Sequence, residues 1–77
     1  MINRDMGRME SECKSRNYAI TVDVDASGQT LVTLKHNVKG HRFRGVASAR
    51  ATSAYLVALK MAYDRMLLFE TRFDNKS

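Results

Sequence analysis

Seventy-seven residues make a single small domain, whose core is thin unless something reinforces it. A lone cysteine, Cys13, excludes an intramolecular disulfide, and two histidines without a cysteine cluster fall short of the four ligands of a structural zinc site. Apolar residues at 44% and charged residues at 27% exclude wholesale disorder, and the formal charge of +5 points toward acidic partners.

The first element is an amphipathic helix within residues 1–16. Ile2, Met6, Met9 and Cys13 recur at spacings of four, three and four, one side of a 3.6-residue helix. Arg8–Glu12 and Glu10–Lys14 stand at i,i+4 and support it, while Gly7 opposes it by about 1 kcal/mol. A β-meander is expected over residues 17–46. Tyr18, Ile20, Val22 and Val24 alternate with small or polar residues through Asp25, as in a half-buried strand. Asp25–Gln29 is a turn with Gly28 where a positive φ is needed. Thr30 to Val38 forms a second strand, with Val32, Leu34 and Val38 inward and Thr33, Lys35 and Asn37 outward. After the Lys39-Gly40 turn a third strand, His41 to Val46, points Phe43 inward between Arg42 and Arg44. From Ser48, a credible N-cap, the period changes to 3.6 and a long helix is expected over residues 48–73. Its main stripe is Ala51, Ala54, Tyr55, Ala58, Ala62, Met66 and Phe69. The tail, 74–77, is expected to fray. The fold class is therefore α+β, ordered α-β-β-β-α, with a three-stranded antiparallel sheet packed on the long helix.

The positive charge is localised. Between Asp25 and Asp64 there is no acid, and Lys35, Lys39, Arg42, Arg44, Arg50 and Lys60 supply +6; the rest of the chain holds seven basic and eight acidic residues. With Phe43 inward, Arg42 and Arg44 share the outer face with Lys35 or Asn37 across the turn. Like charges on neighbouring strands oppose folding unless solvent or an anion relieves them. Lys35, Lys39, Arg42, Arg44 and Arg50 are thus the candidate binding residues for nucleic-acid phosphates or an acidic protein surface. The outer face lacks aromatics, which argues against a platform for stacked single-stranded bases.

The long helix is apolar over more than one sheet can cover. Leu56, Leu59, Tyr63 and Leu67 widen the apolar arc to roughly 220°, against the ~100° stripe of an ordinary surface helix. Either the N-terminal helix covers this second stripe or a second copy of the chain does, and the small core with its soft first helix favours a homodimer.

Other side chains read as structural. Asp23 and Asp25, at i and i+2 beside a turn, are solubilising aspartates. His36 and His41 flank the second turn and suit phosphate or solvent contacts better than a metal. Cys13 belongs to the apolar stripe, and Gly40 and Gly45 are too isolated for a phosphate cradle. No catalytic residues, metal or cofactor are expected, so the chain reads as a binding module and not an enzyme. With no apolar run near the ~20 residues of a bilayer span, no secretory leader in Met1-Ile2-Asn3-Arg4-Asp5 and one thiol, a cytoplasmic protein that does not enter membranes is expected.

The order helix–strand–strand–strand–helix, with Gly45-Val46-Ala47-Ser48-Ala49-Arg50 leading into an alanine-rich helix, resembles the double-stranded RNA-binding domain. That resemblance implies phosphate contacts across a major groove from the start of the last helix. Ala51 and Ala54 stand where the family carries lysines, so Arg50 alone inherits that role. The Asp25–Gln29 loop is shorter and more acidic than the one the family sends toward a minor groove. Two functional expectations follow: contact with the phosphate backbone of a nucleic-acid duplex, or, as the alternative, a small protein–protein interaction module or inhibitor of the phage or mobile-element type that docks its basic face on an acidic protein.

Overall fold

A computed structural model describes the backbone of residues 2–76 and the side chains of residues 6–72. Its elements are α1 (Ile2–Ser15), β1 (Tyr18–Val24), β2 (Thr30–His36), β3 (Arg42–Ala47) and α2 (Ala54–Lys76), an α-β-β-β-α order in the α+β class. The strands form one antiparallel sheet in the order β1-β2-β3, so β2 is central and the other two are edges.

Local chemistry explains the boundaries. α1 stops where Asn17 takes a left-handed φ of 72°, a conformation asparagine tolerates at a helix end. The Asn17 carbonyl then accepts the Asn37 N–H at 2.8 Å, tying the helix exit to the far end of the meander. In the first turn the Asp25 carboxylate accepts the Ser27 and Gln29 N–H groups, both at 2.9 Å, and Gly28 turns at φ 85°. Asp25 therefore shapes the turn, a more definite role than solubility. β2 ends at His36, two residues before the expected Val38. The reason is the His36 side chain, whose Nδ1 accepts the Val38 and Lys39 N–H groups at 3.2 and 3.0 Å and bends the chain out of the sheet. Val38 consequently lies 79% exposed in the turn instead of inward.

The start of the last helix differs from expectation. Ser48 does not cap it: its hydroxyl accepts the Arg50 N–H and its carbonyl the Ala51 N–H, closing a separate local turn. Regular helix begins at Ala54, and the Ser53 carbonyl accepts the Val57 N–H at 2.9 Å. At the other end α2 continues through Lys76, so residues 74–76 of the expected tail are helical, and Ser77 lies outside the described residues.

α2 returns across β3 and β2, and α1 lies alongside it on the same face. Gly45 decides how closely: a Cβ there would run into the Ala58 carbonyl and stand 2.9 Å from the Ala62 nitrogen, so the helix backbone rests directly on β3. Cys13, Tyr18, Val32, Leu34, Leu59 and Met66 fill the layer between. Along β1 the inward phase holds, yet burial fades from Tyr18 through half-buried Ile20 to Val22 and Val24, which are 48% and 67% exposed. α2 reaches the start of this edge strand, where Tyr18 meets Glu70, and among the described residues nothing covers its far end.

In α1, Met9 and Cys13 are buried and Met6 packs against them, while the Ile2 side chain lies outside the described residues. The expected Arg8–Glu12 and Glu10–Lys14 pairs give way to ties with α2. Glu10 accepts the Tyr55 hydroxyl at 2.5 Å and Glu12 the Tyr63 hydroxyl at 3.2 Å, and Arg16 bridges Glu12 and Glu70 at 3.4 and 3.3 Å. Burial, reinforced by the Glu10 bond, pushes the Tyr55 phenol up and keeps it a donor.

Candidate functional site

The sheet face away from the helices carries three rows of cross-strand neighbours: Ala19–Lys35–Arg42, Thr21–Thr33–Arg44 and Asp23–Leu31–Val46. Lys35 therefore faces Arg42 directly. The His36 N–H bonds the His41 carbonyl at 2.9 Å, which makes the neighbouring Lys35–Arg42 pair a non-hydrogen-bonded one. Such pairs bring Cα atoms to ~4.5 Å and hold side chains closest together. Arg44 follows at about 6.8 Å along the strand, on the same face. Lys35, Arg42 and Arg44 are all exposed, and among the described residues none of them joins an ion pair.

These cations rim an open depression of about 310 Å³ whose lining is completed by Thr21, Thr33 and Asp23. The floor thus offers two hydroxyls that donate or accept hydrogen bonds, set below two guanidinium forks and an ammonium. Asp23 faces the same depression and is its one acid. The other acids near the expected basic stretch are engaged elsewhere: Asp64 with Lys60 at 3.4 Å, and Glu70 with Arg16 and the Tyr18 hydroxyl.

Not all five candidate residues converge. Lys39 lies in the turn at one end of β3, and Arg50 lies in the connection beyond the other end, roughly 20 Å away by strand rise. Arg50 also precedes the first helical residue, Ala54, by four positions, so it does not sit in the first turn of α2.

One cation that the charge pattern did not single out lies close by. Arg65 of α2 reaches the open edge of β3, where its Nη1 donates to the Arg44 carbonyl at 2.9 Å. Its position was hidden in the sequence because only the seating of Ala58 and Ala62 on Gly45 fixes which residue of α2 reaches that edge.

The histidines belong to the inner face. Their rings stack at 5.1 Å, His36 holds the turn, and the His41 Nε2 lies 2.5 Å from the Tyr18 hydroxyl, which also donates to Glu70 at 3.3 Å. Phe43 and Phe69 close the cluster with ring contacts to each other and to His41. These ring contacts and hydrogen bonds pack the two histidines into the inner layer, away from the outer face where phosphate or solvent contacts were expected of them. Burial, then the Glu70 charge, pushes the Tyr18 phenol up to about 12, and burial raises the Cys13 thiol to about 11, which leaves both protonated at neutral pH.

No known family, curated protein or solved structure matches the chain. The site must be judged on its own geometry. Among the described residues no group of three or more His, Cys, Asp or Glu side chains is placed to hold a metal, and no helix is long and apolar enough to cross a membrane.

The second apolar stripe lies toward α1, the first of the two positions expected for it. Leu59 is fully buried, and Leu56, Tyr63 and Leu67 pack half-buried against the same core beneath α1. Tyr63 of this stripe bonds Glu12 of the first helix and Leu59 is shut off from solvent, while Leu56, Tyr63 and Leu67 keep part of their surface open. What remains open between the helices is a recess of about 440 Å³ lined by Arg8, Met9, Leu56, Lys60 and Tyr63.

Proposed function

We propose that this chain is a small, non-catalytic binding module whose outer sheet face takes the phosphate backbone of a nucleic-acid duplex. One observation carries the reading: Lys35 and Arg42 are held side by side in a close cross-strand pair, with Arg44 beside them and, among the described residues, no ion pair to relieve the three charges. Such an arrangement opposes folding slightly and favours any ligand that brings a row of negative charges. The flanking threonines suit phosphate oxygens, and a face without aromatics suits a duplex better than unstacked bases. Lys39 and Arg50, at opposite ends, would serve as outlying contacts for a long polyanion.

The test is fluorescence anisotropy with labelled duplex RNA and DNA across 50–200 mM salt. Three phosphate contacts give a log–log slope of about −2.7 and a loss of affinity of roughly 40-fold over that range on B-DNA. An absent or salt-independent interaction refutes the proposal. The Arg42→Glu/Arg44→Glu double variant should abolish binding.

A second reading has its own support. Leu31 and Val46 are directly paired at one end of the same face, beside Asp23, and a mixed apolar and charged surface also suits an acidic protein partner. Capture of one protein from nuclease-treated lysate, lost on the same charge reversal, would favour that partner.

A further inference from the structure

Arg65 links the basic face to the open edge of the sheet. β3 is an edge strand, and the Lys35–Arg42 and Thr33–Arg44 pairs are both of the non-hydrogen-bonded kind by alternation from the His36–His41 bond. In such pairs the backbone N–H and C=O groups point away from the partner strand. The N–H and C=O of Arg44 therefore face outward along the edge, and the bond from Arg65 to that carbonyl is a direct sign of this geometry.

A bare strand edge is a poor anion site, because every outward N–H is accompanied by an outward carbonyl that repels the ligand. Arg65 changes that balance. Its guanidinium occupies the Arg44 carbonyl with one of five N–H donors and leaves the others exposed beside the outward Arg44 N–H. The bond also holds a long side chain in one place, which lowers the entropy lost when a ligand is gripped. Arg65 is exposed, and among the described residues it forms no ion pair.

We infer that Arg65 and the β3 edge form a second phosphate-binding position, continuous with the Lys35–Arg42–Arg44 face, so that a bound backbone runs over the sheet and around its edge. This rests on the nucleic-acid reading above and assigns a residue that the charge pattern alone could not supply. The neighbouring acid on α2, Asp64, is held by Lys60, which leaves the edge position cationic.

The experiment compares Arg65→Gln and Arg65→Lys with the parent in duplex binding over a salt series, each accompanied by a thermal melt. Arg65→Gln should weaken binding roughly tenfold at low salt and make the log–log salt slope shallower by about 0.9, the value of one lost phosphate contact. Arg65→Lys should restore the slope, because counterion release follows charge. If Arg65→Gln weakens binding equally at all salts, with an unchanged slope and a lower Tm, Arg65 only braces the strand edge and the inference fails. If it binds like the parent while Arg42→Glu/Arg44→Glu does not bind, the edge position is refuted and the sheet-face reading stands. If neither variant alters binding, both fall.

Discussion

Replacing Gly45 by alanine tests the contact on which the whole arrangement rests. The new Cβ would overlap the Ala58 carbonyl oxygen and stand 2.8 Å from its carbon and 2.9 Å from the Ala62 nitrogen. All three atoms are helix backbone, which has no rotamer to turn aside. To restore ordinary contact α2 must lift by well over an ångström, and a gap of even ~0.5–1 Å forfeits a quarter to a half of the dispersion energy of the facing atoms. Ala58, Leu59, Ala62 and Met66 are all fully buried along the lifted stretch, so the loss is shared by the centre of the core. Overpacking at such sites costs about 1–3 kcal/mol, and a backbone-on-backbone clash belongs at the upper end. For a domain of this size about 3 kcal/mol lowers Tm by roughly 12–24 °C. The assay is a far-ultraviolet circular dichroism melt, with Gly7→Ala as the control. A methyl group added at Gly7 would meet nothing within 4 Å, and the residue lies in a helix, so alanine there should raise Tm. A Gly45→Ala protein melting with the parent would refute the close seating of α2, and with it the placement of Arg65.

Three further outcomes are expected. Leu59→Ala should cost about 2–5 kcal/mol, read from a urea melt, because its side chain is fully buried in the core; a value below about 1 kcal/mol would place it at the surface. Burial, then the His36 charge, holds the His41 imidazole below its ordinary 6.5, so the unfolded chain binds the extra proton. The stability this confers is complete above about pH 6.5 and is lost as pH falls through the depressed folded value, so melts from pH 7 to 5 should show a decline that His41→Phe flattens. Lys35→Thr should leave Tm unchanged or slightly higher while weakening duplex binding, measured by anisotropy; a clear fall in Tm with binding intact would make the lysine structural.

What was legible in the sequence was whatever a short-range period controls. The alternation around Phe43 places Arg42 and Arg44 outward, and the Lys39-Gly40 turn before it brings Lys35 or Asn37 across from them, of which the register selects Lys35, opposite Arg42. Of the main stripe expected on the last helix, Ala58 and Ala62 seat on Gly45 and Phe69 meets Phe43, while Tyr55 turns to Glu10 of α1 and Ala51 precedes the helix. What stayed hidden depends on side chains competing for backbone groups or on how elements cross. Ser48 and Ser53 are equally good caps by type, and only the bonds made by Ser48 to the Arg50 and Ala51 N–H groups show that it serves a turn. The second stripe was ambiguous because its pattern is the same whether α1 or another chain covers it. Nothing in residues 61–70 marks Arg65 as a neighbour of Arg44, because that pairing follows from the glycine-sized gap on β3.

Cations on an edge strand have an ordinary explanation: they discourage edge-to-edge pairing with other sheets. Arg42, Arg44 and Arg65 all guard the β3 edge and would be accounted for on that ground alone. Lys35 would not. It stands on the central strand, with β1 on one side and β3 on the other, where no edge needs protection. Its place opposite Arg42 in a close pair adds repulsion without shielding anything. The second edge strengthens the contrast, because β1 presents Ala19, Thr21 and Asp23 on the outer face and carries no cation there. A rule of edge protection would charge both edges and leave the centre neutral. This sheet instead charges the centre and one edge, in a continuous band that ends at Arg65. A band of one sign across strands of different kinds is what a linear polyanion requires, and Lys35 is the residue at which the two explanations part.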